Sequence, residues 1–469
     1  MSVLTIDLGT SATKAALWDG ARLVAIMRAP LTTTHPQPGR AEQEPEAWWE
    51  SVVHACGALH FAQRTAFDQV SAVGFSAARE TFALVDDALR PTSPGILWSD
   101  RRAEAQVLAL GNPDDFRERT GVIASGGCCA AKVAWARAHL SGAFSGARWI
   151  LAPRDLVFAR LTGLVLTDET LASRTGWYDL DGTVLDAAPV ERLPPVVPST
   201  AARAARPSPW LDALGLDPGI PVVVGAGDRA CEVLGAGVRP GSPMVSWGAT
   251  ANVSFPHPGP VGALPHSAQV SRGAIDGFVV EAGLSAAGAA LAWLAALTGR
   301  PQEQLLTDAA TVPPGAMGVL SVPWFAGARA PWWQAATHAA FLGITEAHGP
   351  PELARAIVEG VAFDVARCVE LIAPSATELA LAGGGSNSSL WRDALGGVTA
   401  MRLVRRAIDD AASVGARLLV AEALGEPLSV EDVNPVSGRE AADIAVIETY
   451  REVRHRADAA AHAVLGLGE

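Results

Sequence analysis

The stretch from Asp7 to Lys14 has residue types and spacing that could bind a nucleotide phosphate. Its turn, Gly9-Thr10-Ser11, offers backbone N–H groups and hydroxyls that can hold phosphate oxygens. Asp7, near the end of an apolar run, could hold Mg²⁺ through water, because that ion keeps much of its hydration. Lys14 adds a point charge on the following strand. An ordinary hairpin whose first strand carries an aspartate is the alternative interpretation of the same spacing.

A second carboxylate, Asp228, lies in a glycine-rich bend just after the apolar run from Pro221 to Gly225. Such a carboxylate can act as general base toward a substrate hydroxyl, as phosphoryl transfer to an alcohol requires. The alternative is an N-cap, because aspartate is common at helix starts.

Two further motifs have weaker signals. Gly383-Gly384-Gly385 follows a buried strand and could let a flat ligand approach the backbone, although a strand-to-helix turn has the same composition. Arg79-Glu80 places opposite charges side by side after a strand, and a surface ion pair is the alternative there.

The composition excludes several functional classes. The chain has 469 residues, 49% of them apolar, and its net charge of −13 is the wrong sign for general binding to nucleic acid or anionic lipid. Its five cysteines form no CxxC pair, and neither a Gly-Lys-Ser/Thr loop nor a GxGxxG helix start occurs. We therefore expect a cytoplasmic protein without nucleic-acid or membrane partners. Only two of the 36 basic residues are lysines, Lys14 and Lys132.

Apolar runs bounded by small residues predict the elements that position these motifs. Strands over Val3–Leu8, Thr13–Trp18 and Arg22–Met27 would form an antiparallel meander. A second strand pair, Met244–Trp247 and Ala251–Phe255, repeats this device and predicts a second domain that begins near Pro240. Helices are predicted over Pro45–Leu59, Lys132–Leu140, Arg229–Leu234, Ser285–Leu297 and Glu352–Leu371, and from Asp409 to the C-terminus.

The order of these motifs resembles the FGGY carbohydrate kinases, a family of the actin/Hsp70/hexokinase-like ATPase superfamily. Asp7-x-Gly9-Thr10-x-x-x-Lys14 is similar to the first phosphate loop of that superfamily, and Gly225–Arg229 to the segment with the catalytic aspartate. The other segments that resemble the family are Gln37–Trp49, Leu97–Arg102, Lys132–Trp135, Thr167–Ser173, and Ala339–Ile344 with Glu352–Glu359.

This resemblance implies an α/β fold with two ribonuclease-H-like (actin-like ATPase) domains that flank a catalytic cleft, over residues 1–240 and 241–469. It implies ATP and Mg²⁺ as cofactors, with Asp7 acting on the metal and Asp228 as the base. The residues implied to bind the nucleotide are Thr10, Ser11, Lys14, Gly248, Ala249, Thr250, Gly288, Gly384, Gly385 and Ser389. Those implied to bind the substrate are Arg79, Glu80, Trp98, Asp228 and Arg229.

Three departures from the family pattern bear on activity and substrate. Gly248-Ala249-Thr250 stands where relatives commonly have Gly-Thr-Ser or Gly-Thr-Gly, so a phosphate-binding hydroxyl is displaced or lost. Arg229 replaces a glutamine that often follows the catalytic aspartate, and could face an anionic or highly hydroxylated substrate. Gly127 stands where glycerol kinases place a substrate tyrosine, although Arg79-Glu80-Thr81 looks like their polyol-binding segment.

The expected function is therefore ATP-dependent phosphorylation of a sugar hydroxyl, with a pentulose such as xylulose as substrate. Chain length and the Leu97–Asp100 segment look more like the xylulokinase branch. Glycerol or another polyol is the alternative substrate. A catalytically weak sugar-binding or regulatory relative is the alternative from another class. The oligomeric state, with a homodimer as the candidate, and the role of Lys132 stay open.

Overall fold

A computed structural model describes residues 1–259 and 267–467. The strands are β1 Ser2–Leu8, β2 Ala12–Asp19, β3 Arg22–Pro30, β4 Glu42–Gln43, β5 Val70–Ala77, β6 Ala83–Val85, β7 Gly95–Ile96, β8 Trp149–Leu151, β9 Thr167–Asp168, β10 Val196–Val197, β11 Ala202–Ala204, β12 Pro221–Val223, β13 Ala226–Gly227, β14 Met244–Trp247, β15 Ala251–His257, β16 Gln269–Arg272, β17 Phe278–Leu284, β18 Leu320–Val322, β19 Ala340–Leu342, β20 Glu378–Ala382, β21 Arg402–Arg406 and β22 Val436–Glu440.

The α-helices are α1 Pro45–Ala62, α2 Arg64–Phe67, α3 Pro113–Thr120, α4 Cys129–His139, α5 Ser141–Gly146, α6 Pro153–Thr162, α7 Glu169–Ala172, α8 Pro209–Leu214, α9 Asp228–Gly235, α10 Gly288–Thr298, α11 Gln302–Ala309, α12 Pro350–Ile372, α13 Ser389–Thr399, α14 Ala411–Leu424, α15 Val430–Val433 and α16 Ile444–Leu465. No helix within the described residues is long and apolar enough to span a bilayer.

Two seven-stranded sheets repeat one topology. In the first sheet the order is β11-β12-β5-β1-β2-β3, and β13 also pairs with β5. In the second sheet the order is β16-β17-β15-β14-β20-β21-β22. Each sheet is built around an antiparallel hairpin, β1/β2 or β14/β15, whose first strand pairs in parallel with a later strand, β5 or β20. The predicted repeat of the hairpin is therefore confirmed.

Two helices, α9 and α14, lie against each other between the sheets. Leu418 and Val420 of α14 pack on Val3 and Ala72 of the first sheet, whereas Val233 of α9 packs with the second. A Cβ on Gly235 of α9 would lie 2.0 Å from the carbonyl oxygen of Ala411, so only glycine permits this close approach. Both helices begin at the cleft, and their N-termini favour negative charge there.

The largest apolar core joins one face of the second sheet to α10, α12, α13 and α16, and a second core joins the first sheet to α1, α6 and α8. Strand β1 is buried throughout, which explains why its residues are apolar except for Ser2, Thr5 and Asp7. The prediction of helix from Asp409 to the C-terminus is wrong over Val436–Glu440, which forms edge strand β22. That strand is only half-buried and has no apolar run. Its pairing with β21 stabilises it instead.

Candidate active site

The hairpin between β1 and β2 carries a buried charge pair. Its register places Asp7 opposite Lys14, and Lys14 Nζ lies 3.2 Å from Asp7 Oδ2. Asp7 Oδ1 accepts a hydrogen bond of 2.8 Å from Ser76 on β5. Burial raises the pKa of Asp7 above its usual range, and Asp410 and Asp228 add to this against the opposing effect of Lys14. The structure therefore places the two predicted charged groups of this loop in contact.

Sequence reasoning missed Asp410, which also pairs with Lys14. Asp410 Oδ2 lies 2.9 Å from Lys14 Nζ, and Asp410 Oδ1 caps α14 by accepting from the N–H of Ser413. The two carboxylates raise the pKa of Lys14 although burial opposes them. An aspartate immediately before a helical pattern is an N-cap signal, but nothing in the sequence connects it to Lys14. Lys14 thus joins the first hairpin to the start of α14.

The turn after β1 is supported from behind by side chains of two motifs. Gln43 Nε2 donates to the carbonyl oxygen of Thr10 at 2.7 Å, and Trp48 Nε1 donates to Gln43 Oε1 at 2.9 Å. Trp98 Nε1 donates to the Thr10 hydroxyl at 2.9 Å. Ser11 is exposed beside Thr10. The Gln37–Trp49 and Leu97–Arg102 motifs therefore fix the shape of the turn after β1.

Asp228 is the first residue of α9, and the N-cap is Gly227. Its Oδ1 accepts from the N–H of Arg229 at 2.7 Å and from Arg79 Nε at 3.2 Å. No hydrogen bond from the described residues reaches Oδ2, and 38% of the side chain is exposed to the cleft. The N-cap interpretation of Asp228 is therefore wrong. One carboxylate oxygen is held, and the other is free to take a proton.

The bend before Asp228 is held by a buried polar network from the Thr167–Ser173 motif. Thr170 Oγ1 accepts from the N–H of Gly227 at 2.7 Å and donates to Asp168 Oδ2 at 2.5 Å. Arg154, which is fully buried, bonds to Asp168 and to the carbonyl oxygen of Gly225. Because Gly225 has φ +75° and a Cβ there would lie 2.0 Å from a backbone oxygen, the bend requires glycine. This network positions Asp228.

A polar cavity of about 160 Å³ lies in front of Asp228, between the two hairpins. Its lining includes every residue predicted to bind the substrate together with five groups that sequence reasoning missed. The predicted residues are Arg79, Glu80, Trp98, Asp228 and Arg229, and the missed ones are Arg174, Asn252, Gln269, Glu281 and Arg329.

Glu281, on β17, is the central anion of this cavity. Arg79 makes a two-pronged bond to it, with both N–O distances 2.8 Å, so residues from the two halves of the chain meet here. Arg79, Arg174 and Arg229 hold the pKa of Glu281 well below its usual range although burial opposes this. The sequence signal for Glu281 was slight, since a glutamate within the apolar run Phe278–Leu284 is a buried charge that needs a partner.

Lys132 positions two chain segments beside the cavity. Its Nζ is fully buried and donates to the carbonyl oxygens of Glu80 and Leu97, each at 2.7 Å. Burial lowers the pKa of Lys132. Glu80 has φ 57°, a backbone conformation uncommon outside glycine, and the lysine bond stabilises it. Lys132 therefore holds the two segments that carry Glu80 and Trp98.

The second hairpin turn, Gly248-Ala249-Thr250, lies open to the cleft opposite the first. The N–H of Gly288 donates to the carbonyl oxygen of Gly248 at 2.9 Å, and the N–H of Ala289 donates to that of Ala249 at 3.0 Å. A Cβ on Gly288 would lie 2.6 Å from the Gly248 oxygen, so a glycine is needed there. The turn and the start of α10 thus form one rigid unit.

The glycines after β20 lie beside this unit, because β14 and β20 are parallel neighbours. Gly384 and Ser389 are exposed, and a Cβ on Gly384 would meet nothing within 4 Å. Gly385 differs, since a Cβ there would overlap the Trp247 ring at 1.7 Å. The prediction of an open backbone surface therefore fits Gly384, whereas Gly385 permits close packing on Trp247.

The residues around the first turn fit a hydrated divalent cation. Within residues 1–259 and 267–467, no group of three His, Cys, Asp or Glu side chains could hold a metal ion by itself. Mg²⁺ needs few protein ligands, because it retains water and binds substrate phosphates. Asp7 supplies a hard carboxylate oxygen, and Asp410 and Asp228 add negative charge near it.

Comparisons with known proteins agree with this geometry. The N-terminal domain profile of the FGGY family of carbohydrate kinases matches residues 2–235, and the C-terminal domain profile matches residues 252–424. Xylulose kinase of Escherichia coli (strain K12) is 30% identical over 414 residues, which cover 85% of each chain. Glycerol kinase of Methylibium petroleiphilum (strain ATCC BAA-1232 / LMG 22953 / PM1) is 30% identical over 460 residues, 89% of each chain.

Among solved structures, xylulose kinase from Rhodospirillum rubrum superposes with a TM-score of 0.87 at 25% identity and covers 100% of both chains. This likeness confirms the expected actin-like ATPase fold with its two sheet-containing domains. Since the two family profiles together match most of the sequence, the chain belongs to the FGGY family of carbohydrate kinases and is an ATP-dependent carbohydrate kinase.

Proposed function

We propose that this kinase transfers the γ-phosphoryl group of ATP to a hydroxyl of a sugar bound in the cavity, with Asp228 as general base. The observation that carries this proposal is the state of Asp228. Its Oδ1 is fixed by Arg79 and by its own helix, and its Oδ2 is exposed to the cavity. Oδ2 takes the hydroxyl proton while the oxygen bonds to the γ-phosphorus, the bond from that phosphorus to the bridging oxygen breaks, and ADP leaves.

The nucleotide is proposed to lie across the two hairpin turns. Thr10, Ser11 and the turn Gly248-Ala249-Thr250 would hold the β- and γ-phosphates with N–H groups and hydroxyls, because these turns face each other across the cavity. The adenosine would lie along the surface formed by Gly288, Gly384, Gly385 and Ser389, beyond the ends of the central strands β14 and β20. The proposed adenosine site then lies within the second of two proposed domains, which cover residues 1–240 and 241–469.

Asp7 is the proposed contact to Mg²⁺, which when bound neutralises charge on the transferring phosphates. Lys14 holds the Asp7 carboxylate in place from one side, and Ser76 holds it from the other. Asp7 and Asp410 already pair with the charge of Lys14. Lys14 therefore contributes to phosphate binding partly by holding Asp7 in place.

A pentulose such as xylulose is the first proposed substrate. Two observations support it: the similarity to proteins named xylulose kinase, and a cavity whose polar lining suits several hydroxyls. Glycerol or another polyol is the second candidate. The observation that favours it is that Arg79 and Glu80, which look like the polyol-binding segment of glycerol kinases, both line the cavity.

A coupled assay of ADP release tests the proposed function. ATP and Mg²⁺ are supplied with each of a set of ketopentoses, ketohexoses, polyols and aldonates, and the rate without any sugar is the baseline. We expect at least one compound to raise the rate well above the baseline. Failure of every compound would contradict the proposal and favour the sugar-binding or regulatory alternative.

A further inference from the structure

Arg229 and Glu232 form an ion pair on α9, within one turn of the proposed base. Nη1 of Arg229 bonds to Oε2 of Glu232, and the two side chains are 15% and 20% exposed. Three positions separate them, a spacing that brings two side chains to the same side of a helix. Arg229 is part of the lining of the substrate cavity, and Glu232 is not. A carboxylate outside the cavity therefore balances the charge that Arg229 brings to it.

Glu232 is itself held from the second half of the chain. Its Oε1 accepts a hydrogen bond of 3.0 Å from the hydroxyl of Ser246 on β14. Burial raises the pKa of Glu232, although the charge of Arg229 opposes this rise. The charge of Asp228 adds to the rise, whereas the Ser246 hydrogen bond and Lys14 oppose it. Because each carboxylate oxygen has its own partner, Glu232 fixes where the guanidinium of Arg229 lies.

Arg229 does not pair with Asp228, although the two residues are adjacent. Within residues 1–259 and 267–467, its ion pairs are with Glu232 and, at 3.8 Å from its Nε, with Glu281. The backbone N–H of Arg229 donates to Asp228 Oδ1 at 2.7 Å, so the aspartate lies beside the start of the arginine side chain. The guanidinium is therefore held away from a carboxylate that is close to it along the chain.

Oδ2 of Asp228 is the available partner for a guanidinium released at position 229. It accepts no hydrogen bond from the part of the chain that the structure describes. Both oxygens of Glu281, by contrast, already bond to Arg79 at 2.8 Å. Neighbouring side chains of these types can pair on a helix, since Arg154 Nε lies 2.8 Å from Asp155 Oδ1 on α6. A partly buried guanidinium without a partner is costly, so a released one would turn to this oxygen.

We propose that Glu232 is a positioning residue for phosphoryl transfer, which holds the guanidinium of Arg229 away from Asp228 and so keeps Oδ2 free for the substrate hydroxyl. This inference rests on the proposed function, in which Asp228 is the base. A guanidinium on Oδ2 would form a charge-assisted hydrogen bond, and that bond would have to break before the oxygen could accept a proton.

Glu232→Ala tests this role through kcat. The variant releases Arg229, and we expect kcat for the best compound of the ADP-release assay to fall by about 10- to 100-fold, the range of a charge-assisted hydrogen bond. The KM for ATP should change by less than about threefold, because the pair is not among the residues proposed to bind the nucleotide. An unchanged kcat would overturn the proposal and leave the proposed function intact.

The double variant Arg229→Gln/Glu232→Ala provides a readout that a merely structural role would not move. Because the guanidinium is absent, its kcat should exceed that of Glu232→Ala by about tenfold or more. Arg229→Gln alone completes the double-mutant cycle and should also have a higher kcat than Glu232→Ala. The KM for the sugar is measured separately, since Arg229 lines the cavity. Equal kcat in the double variant and in Glu232→Ala would show that the loss comes from the glutamate itself, and would overturn the proposal.

Glu426→Ala is the matched control. Glu426 is 23% exposed and pairs with the buried Arg417, and neither residue lines the cavity. The variant deprives a guanidinium of its carboxylate elsewhere, so kcat should stay within about twofold of the wild type. A fall equal to that in Glu232→Ala would overturn the specific role of Glu232. If Glu232→Ala does not fold, Glu232→Gln replaces it with the same expected order of kcat values, because it keeps an acceptor for Ser246 and loses the charge.

A crystal structure of Glu232→Ala separates the inference from the proposed function. We expect the guanidinium of Arg229 to lie within about 4 Å of Asp228 Oδ2 in the variant. That position, together with a wild-type enzyme that phosphorylates no compound, would contradict the proposed function and retain the role of Glu232 in holding Arg229. A guanidinium that stays away from Asp228 would overturn the inference, whatever the turnover.

Discussion

The two hairpins that face each other across the cleft share one backbone plan and differ in charge. In the first, Asp7 lies opposite Lys14 one step before the strands reach the turn. At the corresponding place in the second, Ser246 lies opposite Asn252. The charged pair is bound to a third group, Asp410. The neutral pair has two separate partners instead: Ser246 bonds to Glu232 of α9, and Asn252 bonds to Glu281 in the lining of the cavity.

Because of this difference, we propose different roles for the two hairpins. The first hairpin concentrates carboxylate and ammonium groups where phosphates and a cation would meet, whereas the second offers backbone N–H groups at its turn and supports Glu281 through its strand. A repeated fold thus provides two similar turns at the cleft, and only the first carries the charged residues that we propose for contact with a metal ion, whereas the proposed base, Asp228, lies on α9. The following substitutions change residues of the two hairpins or charged groups that lie beside the first hairpin.

Asp228→Asn is expected to have the largest effect, a fall in kcat of ~10²–10⁴-fold, the usual contribution of a general base. The amide can still accept the Arg79 hydrogen bond, so the cavity keeps its shape while the proton acceptor is lost. The coupled assay measures kcat, and calorimetry with ATP is the control, since nucleotide binding should survive. Turnover close to wild type would remove Asp228 from the mechanism.

Asp7→Ser gives the first hairpin the residue that the second has at Ser246. We expect kcat/KM to fall by roughly 10- to 100-fold and the Mg²⁺ concentration for half-maximal rate to rise, because a carboxylate near the cation is lost. Ser246→Ala is the matched control, and its effect on kcat/KM should be less than about threefold. Equal losses in the two variants would contradict the division between the hairpins.

Asp410→Asn removes one of the two carboxylates on Lys14 but keeps a good N-cap for α14. We expect the free energy of unfolding to fall by about 1–3 kcal/mol, because a buried charge-assisted bond is weakened, and kcat/KM to fall by less than about tenfold. Urea unfolding and the coupled assay measure the two quantities. Asp410→Ala should cost about 1 kcal/mol more, since the cap is lost as well. No change in stability would show that Asp7 alone satisfies Lys14.

Ala249→Ser is expected to have the smallest effect. It restores a hydroxyl to the second turn, where Ala249 is exposed. One added neutral hydrogen bond should lower the KM for ATP by about two- to threefold. Saturation kinetics in ATP measure this change, and an increased KM would show that the turn does not contact the phosphates.

Local sequence signals predicted the parts of the fold that depend on apolar runs and turn residues. The meander β1–β3, the hairpin β14/β15 and helices such as α12 are bounded by glycine, proline or small polar residues, and the structure confirms them. Strand β22 was missed because its sequence, Val-Ser-Gly-Arg-Glu, has no apolar period. The strand is stabilised by pairing with β21 and by the ion pairs of Glu440 with Arg392 and Arg405. The packing of α14 on the first sheet is a contact between distant segments that no local pattern encodes.

The site was predictable where one motif carries its own chemistry, and less so where distant segments combine. Asp7 is the next-to-last residue of an apolar strand and Asp228 directly follows a strand, so the sequence marks both as polar groups at strand ends. Glu281 gains its significance from partners far along the chain, Arg79 and Arg174. Asp410 was not predictable as a partner of Lys14 because nearly 400 residues separate them, and the packing of α14 on the first sheet brings them together.

The fate of a labelled γ-phosphate tests the central claim, sugar phosphorylation in this cleft, most directly. The protein is incubated with [γ-³²P]ATP, Mg²⁺ and the compound that best stimulates ADP release, and the products are separated. We predict that the label appears in a phosphorylated sugar and that Asp228→Asn abolishes this product. Label that appears only as inorganic phosphate, at a rate independent of the sugar, would contradict the account.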